Sequence, residues 1–273
     1  MRRPRDSAIG ATAAPNTDRS RGQQPPVRSR LLKVLGAFSD ERNELSLSEI
    51  SRRTGIPLST THRLVADLTT WGALERDERR RYRIGLRLWE IATLSPRGLG
   101  LRQAAMPFME DLYEATHENV QLAVLDGFEV VYVERLSGRD AVSVRSRVGG
   151  RFPAHATGVG LVLLAYADAQ TQERCLAAPL RRYTDKTVAD SRQLRGVLAD
   201  VRRMGYAVSD GQVTLDALSV AAPIRGGNDE VVAALSIVVP SAGAQPHSLA
   251  AAVVAAARGI SRALGGNRTR NAT

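Results

Sequence analysis

Five consecutive polar residues, Ser59-Thr60-Thr61-His62-Arg63, carry groups well suited to contact a nucleic acid. Hydroxyl and imidazole groups can hydrogen-bond to phosphates or base edges, and an arginine can donate two parallel hydrogen bonds to guanine. No carboxylate, which would repel phosphate, follows until Asp67. If the run opens a helix, it lies at the end that contacts bases when a helix enters the major groove.

A short amphipathic segment precedes this polar run. Over residues 47–54, Leu47 and Ile50 fall on one helical face. Gly55 suits the left-handed conformation that commonly ends a helix, and Pro57 prevents the helix from continuing. The segment therefore predicts a first helix followed by a tight turn.

The polar run is then expected to begin a second helix. Ser59 is the predicted N-cap, and Leu64, Val65 and Leu68 are the predicted buried positions. Two short helices joined by a glycine-containing turn predict a helix-turn-helix. The alternative is a helical hairpin whose polar face is merely solvated.

A predicted β-hairpin follows and favours the DNA-binding interpretation. Residues 71–76 indicate a strand start, residues 77–81 a charged turn, and residues 82–84 a return strand. A hairpin after a recognition helix is the wing of a winged helix, and basic residues at its tip can contact the DNA backbone or minor groove. The basic residues at this tip are Arg79, Arg80 and Arg81. A charge run alone is more often solvated surface.

The net charge of +10 is unevenly distributed over the 273 residues. Residues 1–94 contain 18 Lys and Arg against 11 Asp and Glu, a net of +7, and the remainder contains 20 against 17, a net of +3. A polyanion-binding function is therefore expected in the first third of the chain. The length suffices for two domains with separate cores.

Cysteine usage and hydropathy exclude other classes. Cys175 is the only cysteine, so the chain has no intramolecular disulfide framework and no cysteine-cluster metal site. No run approaches the ~18 apolar residues of a membrane span, and the arginine-rich N-terminus lacks the apolar segment of a secretory signal. The sequence predicts a cytoplasmic protein with no metal, no cofactor and no membrane partner.

Beyond residue 100, helical and strand patterns succeed one another. A helix from Leu101 to Thr116 is expected to open this part, and the pair Asp126-Gly127 predicts a hairpin. The predicted strands are 119–125, 129–136, 142–147, 206–209, 218–224 and 231–239, and the later helices are 158–165, 168–177, 191–204 and 247–264. This succession predicts an α+β domain with a mainly antiparallel sheet flanked by helices.

Four motifs carry a resemblance to a known family. They are the helix-turn-helix, Arg151-Phe152-Pro153-Ala154-His155-Ala156-Thr157-Gly158-Val159-Gly160, the pair Gly205-Tyr206-Ala207-Val208-Ser209-Asp210 and Val220-Ala221-Ala222-Pro223-Ile224, and Val232-Ala233-Ala234-Leu235-Ser236-Ile237. In this order and spacing, over about residues 28–264, the chain resembles the isocitrate lyase regulator (IclR) family of bacterial transcription factors.

The resemblance implies a sequence-specific regulator, more often a repressor, whose operator affinity responds to a small organic or aromatic acid. It implies a dimer or tetramer on a palindromic operator in double-stranded DNA. The alternative is a ligand-independent regulator whose C-terminal domain only oligomerises. The expected segments are a disordered basic tail (1–27), a winged helix-turn-helix domain (28–85), linker helices (86–116), a GAF-like effector-binding and oligomerisation domain (117–265) and a disordered tail (266–273).

The effector-binding positions implied by the resemblance are Gly158, Val159, Asp210, Ser219 and Ser236. Gly158 and Val159 would open a helix whose free N–H groups favour a carboxylate, and the two serines would offer hydroxyl groups. For Asp210 the alternative is a structural cap or turn, and for Ser236 a small residue in a buried strand. A basic residue common in the family after Gly160 is absent here, so a more apolar pocket is expected.

An enzymatic function has less support. His155 and Asp210 with Ser219 or Ser236 can be drawn as a hydrolase triad, but neither serine lies in a Gly-x-Ser-x-Gly elbow. No histidine or cysteine pair has the spacing of zinc ligands, and no glycine-rich phosphate loop is present. The sequence predicts a protein that is not an enzyme.

Overall fold

The computed structural model describes residues 27–95, 97–139 and 141–270, with side chains to residue 265. The chain divides into two compact units, the first ending at Ile91 and the second beginning at Ala92. The predicted tails, 1–27 and 266–273, fall almost entirely outside the residues whose side chains are described. Each unit has its own core.

The N-terminal unit is a winged helix. Its core is formed by apolar side chains from its first three helices and the hairpin, among them Val34, Ile50, Leu64 and Leu74. The two strands are antiparallel, with Leu74 paired to Ile84. The elements are α1 (Val27–Leu35), α2 (Leu47–Thr54), α3 (Leu58–Trp71), β1 (Leu74–Arg76), β2 (Tyr82–Ile84) and α4 (Leu86–Ala92).

The C-terminal unit contains one six-stranded antiparallel sheet in the order β5-β4-β3-β8-β7-β6. Its strands are β3 (Asn119–Asp126), β4 (Glu129–Leu136), β5 (Arg151–Pro153), β6 (Ala207–Asp210), β7 (Ala217–Arg225) and β8 (Val231–Pro240). Its helices are α5 (Leu99–Thr116), α6 (Gly158–Ala165), α7 (Ala169–Ala177), α8 (Ser191–Met204) and α9 (Pro246–Arg270), and a 3-10 helix spans Ala154–Ala156.

Helices cover both faces of this sheet, because successive strand residues point to opposite sides. Leu122 and Leu235 pack on one side in a core shared with α5 and α9. Ala123 and Ala234, each one residue away, pack on the other side in a core shared with α6 and α8. Small side chains on that second face let α6, which is buried along its whole length, lie close to the sheet.

The predicted strand over residues 142–147 is wrong. That segment forms an irregular loop, and the edge strand is instead β5, which pairs with β4 through Val130 and Phe152. Side chains of the neighbouring strands hold the loop. The Asn119 amide donates to the carbonyl of Val142, and Arg135 donates to the carbonyl of Ser146. Its backbone is therefore bound by side chains rather than by a strand ladder.

Helix α9 is longer than predicted and strongly apolar. By length and composition alone, Pro246–Gly265 could cross a membrane. Its residues Ala250, Val253, Ala257 and Ile260 are buried in the core beneath the sheet. This one-sided packing is that of a core helix.

Candidate functional site

In the N-terminal unit, a capping box begins α2 and fixes the start of the helix-turn-helix. The Ser46 hydroxyl accepts from the amide of Glu49, and the Glu49 carboxylate accepts from the amide of Ser46. These hydrogen bonds hold the pKa of Glu49 below its usual value. Gly55 ends α2 with φ 68°, as predicted, and the chain then turns into α3.

Helix α3 begins two residues earlier than expected. It starts at Leu58, with Pro57 as its N-cap and no side-chain cap hydrogen bond, so Ser59 lies inside the first turn. The three predicted apolar positions are buried, and they are joined by Thr61, which has no exposed surface. The Thr61 hydroxyl donates to the carbonyl groups of Ile56 and Pro57, each at 3.1 Å. Thr61 therefore secures the turn and does not face DNA.

The exposed face of α3 retains the other predicted residues. Ser59, His62 and Arg63 are exposed, and Thr60 is half-buried. Ser59 and Arg63 are four residues apart and share one face of the helix. This face presents a hydroxyl, an imidazole and a guanidinium at the N-terminal end of α3, where base contacts are made in helix-turn-helix proteins.

The three arginines of the wing differ in their contacts. Arg79 and Arg80 are exposed at the tip, and Arg80 adopts a left-handed φ of 61° within the turn. Arg81 instead reaches back to the start of α2, where it donates to the Glu44 carbonyl and lies 3.5 Å from the Glu49 carboxylate. Arg81 therefore positions the wing, which leaves the two tip residues as the groups available for phosphate.

The C-terminal unit holds a cavity of about 70 Å³ between the sheet and the N-terminus of α6. Its walls come from all six strands, from the 3-10 helix, from α6 and from two loops. The lining includes Gly158, Val159 and Ser219 of the predicted set, together with Gln121, Tyr132, Val144, Arg145, Ser146, Phe152, Thr157, Ser209, Gln212, Thr214 and Val238. Most of these residues lie outside the recognised motifs.

The N-terminus of α6 supplies main-chain donors to this cavity. Thr157 caps the helix: its hydroxyl accepts from the amide of Gly160 at 3.2 Å, and its carbonyl accepts from the amide of Leu161. The amides of Gly158 and Val159, the first two helical residues, have no intrahelical partner. Both residues line the cavity, so these donors and the positive helix end favour an anionic group there.

Aromatic residues form one wall. Tyr132 and Phe152 pack edge to face with ring centroids 6.5 Å apart. Burial raises the pKa of Tyr132 well above its usual value, although a hydrogen bond with Thr157 opposes the shift. The phenol therefore stays neutral, and the wall offers a flat apolar surface suited to an aromatic ring.

Two glutamine side chains complete the polar lining. The Gln121 amide nitrogen donates to the Ser146 hydroxyl at 2.8 Å, which ties the lining loop to β3. The Gln212 carbonyl oxygen accepts from the amide of Val188 at 3.2 Å. That bond orients Gln212 so that its amide nitrogen remains available as a donor.

Asp210 and Ser236 do not line the cavity. Ser209 and Asp210 are adjacent in β6, so their side chains point to opposite faces, and Ser209 is the one at the cavity. Asp210 is exposed and pairs with Lys186 at 2.8 Å. Ser236 is on the cavity face beside Gln121, but its hydroxyl is completely buried without a protein partner.

His155 has a structural environment rather than a catalytic one. It is buried, and its Nε2 lies 2.9 Å from the carbonyl oxygen of Arg181. Burial lowers the pKa of the His155 imidazole, because the charged form is poorly solvated there. Asp210, its partner in the imagined triad, instead pairs with Lys186.

The chain matches two family models over most of its described length. Residues 29–78 match the IclR helix-turn-helix domain, and residues 95–262 match the bacterial transcriptional regulator IclR C-terminal domain. Together these two matches cover the helix-turn-helix with β1, and the sheet with its helices, including every cavity-lining residue; residues 79–94 lie between the two matches.

Two relatives are similar in sequence over most of this chain. The HTH-type transcriptional regulator XynR of Escherichia coli is 32% identical over 210 residues, 76% of this chain and 83% of that protein. The acetate operon repressor of Salmonella typhimurium is 28% identical over 265 residues, 94% of this chain and 95% of that protein. The first relative is a transcriptional regulator, and the second is an operon repressor.

A solved structure is similar in both sequence and fold. The IclR homolog of Microbacterium hydrocarbonoxydans, crystallised with 4-hydroxybenzoate, is 40% identical. The match covers 88% of this chain and 99% of that one, with a TM-score of 0.84. The protein belongs to the IclR family of bacterial transcriptional regulators.

Proposed function

We propose that this regulator is a repressor whose affinity for its operator is set by a small aromatic acid bound in the cavity beside α6. The observation that carries the proposal is the meeting, in one cavity, of the α6 N-terminus with an aromatic wall. A carboxylate would accept from the amides of Gly158 and Val159, and its ring would lie against Tyr132 and Phe152.

The remaining lining suits a polar substituent on that ring. Ser209, Ser219 and Gln212 offer hydroxyl groups and an amide from the other strands and loop. Support for this ligand class comes from the similar Microbacterium hydrocarbonoxydans protein, which was solved with 4-hydroxybenzoate. A phenolic acid of that size combines one carboxylate, one ring and one hydroxyl group, which are the three features that the cavity can contact.

On the DNA side, Arg63 is the proposed base-reading residue, with Ser59, Thr60 and His62 beside it. Arg79 and Arg80 are the proposed phosphate contacts. A homodimer or tetramer would place two such units on a palindromic operator, where recognition helices must be one helical turn, about 34 Å, apart. Ligand binding would act on this spacing through the helices of the 86–116 linker. Such a protein works in the cytoplasm.

A second candidate is a ligand-independent regulator whose C-terminal domain serves only to oligomerise the protein. It predicts that operator affinity is the same with and without any acid. The polar lining around the cavity and the free amides at the α6 N-terminus are unused in that case, which is why the first candidate is preferred.

A gel-shift titration tests the proposal. The full-length protein is titrated into the DNA upstream of its own gene, alone and with 4-hydroxybenzoate, benzoate, phenol or pyruvate at equal ionic strength. A specific complex weakened by 4-hydroxybenzoate, less by benzoate and not by phenol is expected, because phenol lacks the carboxylate for α6. A specific complex indifferent to all four compounds would instead support the ligand-independent regulator.

A further inference from the structure

Leu58 lies at the start of the recognition helix. Its apolar side chain is exposed and does not pack in the core. Three other apolar residues of α3, Leu64, Val65 and Leu68, are at most 9% exposed, whereas Leu58 is 51% exposed. Its position is fixed, because Pro57 and the turn secured by Thr61 set where α3 begins.

We propose that Leu58 reads thymine by contacting its C5-methyl group in the major groove. This inference rests on the proposed DNA contact of α3 and extends it to a residue outside the polar run. Leu58 and His62 are four residues apart, so they share a face, and Ser59 and Arg63 share a second face about 100° further around the helix. The thymine methyl is the apolar group of the major groove, and it is recognised by apolar side chains.

The spacing on α3 also places that thymine relative to a second base. Leu58 and Arg63 are five residues apart, about 7.5 Å along a helix that rises about 1.5 Å per residue. Base pairs follow one another at about 3.4 Å. For a helix lying along the groove, the thymine read by Leu58 is therefore about two base pairs from the guanine read by Arg63.

The test begins with the full-length protein and duplexes selected by it from a randomised pool. Each thymine of the selected site is then replaced by deoxyuridine, which removes only the methyl group. At one thymine per half-site the replacement is expected to weaken binding by wild type about 4-fold, the equivalent of one buried methyl group. Leu58→Ala should weaken binding to the thymine duplex by a similar factor for each half-site and lose the distinction between thymine and deoxyuridine there.

Two further variants make the result specific. Leu58→Gln is expected to shift the selected base from thymine to adenine, because a glutamine amide can pair with the adenine edge. Leu32→Ala removes another exposed leucine, on α1, and should leave the deoxyuridine effect intact. Equal deoxyuridine effects in wild type and Leu58→Ala, or a selected site without that thymine, would overturn the inference. If no sequence is selected at all, sequence-specific binding itself fails, and this inference fails with it.

Discussion

The two candidate sites both lie at the N-terminus of a helix, yet they present different chemistry. Helix α3 is amphipathic, and the end that faces outward carries exposed side chains. Helix α6 is buried on all sides, and its N-terminal end contributes the main-chain amides of Gly158 and Val159 to the cavity. Under the proposed function, a large polyanion is thus approached by side chains, and a small acid by the backbone. Specificity should therefore depend on residue identity in α3, and on the space left free beside α6.

The largest effect on operator affinity is expected from the removal of a single side chain at the exposed N-terminal end of α3. Arg63→Ala should weaken binding to the selected operator by about 1–3 kcal/mol, roughly 5- to 150-fold, and relax the preference for guanine at one position per half-site. Competition gel shifts with single-base operator variants measure both changes. Arg192→Ala removes an exposed arginine of α8 and should change neither. Undiminished affinity in Arg63→Ala would show that α3 docks through another face.

At the buried N-terminal end of α6, adding a single methyl group should be enough to weaken ligand binding. A Cβ on Gly158 would lie 2.6 Å from the Ser219 hydroxyl and 3.2 Å from the Ser219 Cβ. Gly158→Ala should therefore fill the carboxylate site and weaken 4-hydroxybenzoate binding at least about 10-fold, the effect of a lost charge-assisted contact. Isothermal titration measures the acid, and a gel shift without ligand should match wild type.

Two variants serve as controls for the glycine. Gly196→Ala introduces a Cβ with no heavy atom within 4 Å, so it should leave ligand affinity unchanged. Asp210→Asn alters a residue on the sheet face away from the cavity and should also be silent. Wild-type affinity in Gly158→Ala would mean that the acid binds elsewhere, and the contrast between the two helix ends would fail.

The wing tip should show a smaller and less specific effect. Replacing both Arg79 and Arg80 by Ala should weaken binding to operator and unrelated DNA alike. The slope of log K against log salt should fall by about 2 for each protomer bound to the operator, about 1 for each lost phosphate contact. Titrations at several salt concentrations measure it. Arg81→Ala should lower thermal stability instead, since Arg81 contacts Glu44 and Glu49. An unchanged slope in the double variant would remove the tip from the DNA interface.

Local sequence signals predicted the regular elements well. Helices 158–165 and 191–204 and strand 129–136 have the predicted bounds, because glycines, caps and periodic apolar residues mark their ends. The burial of Thr61 was also available from periodicity, since Thr61, Leu64 and Leu68 follow the i, i+3, i+7 spacing of a helix interior. Its hydroxyl concealed that signal, because threonine is usually classed as polar.

The cavity was less predictable, because most of its lining is non-local. The alternation of side chains along a strand could have predicted Ser209 as the cavity residue instead of its neighbour Asp210. Ser209 pairs with Ser219 in the sheet. Nothing local could have placed Arg145 or Ser146, since their loop follows side-chain hydrogen bonds from β3 and β4. The residues that distinguish one ligand from another therefore depend on contacts between segments far apart in the sequence.

The smallest expected effect concerns pH and affects only the buried site. His155 lies in the 3-10 helix that leads into α6, and burial lowers the pKa of its imidazole. The unfolded chain therefore binds a proton more readily, so this contribution to stability is complete above about pH 6.5 and is lost as the pH falls through the lower folded pKa. The titration should lower the melting temperature of the C-terminal unit in acid.

His155→Gln isolates that contribution, because glutamine can still donate to the Arg181 carbonyl but does not titrate. The variant should melt below wild type at pH 8, and the difference should narrow at pH 5, as followed by circular dichroism. The His155 imidazole is buried beside α6, whereas the His62 imidazole of α3 is exposed, so this pH-linked loss of stability should be confined to the buried end. Melting curves that stay parallel at every pH would mean that His155 carries no pH-linked stability, and that the two helix ends differ in their ligands but not in their response to protons.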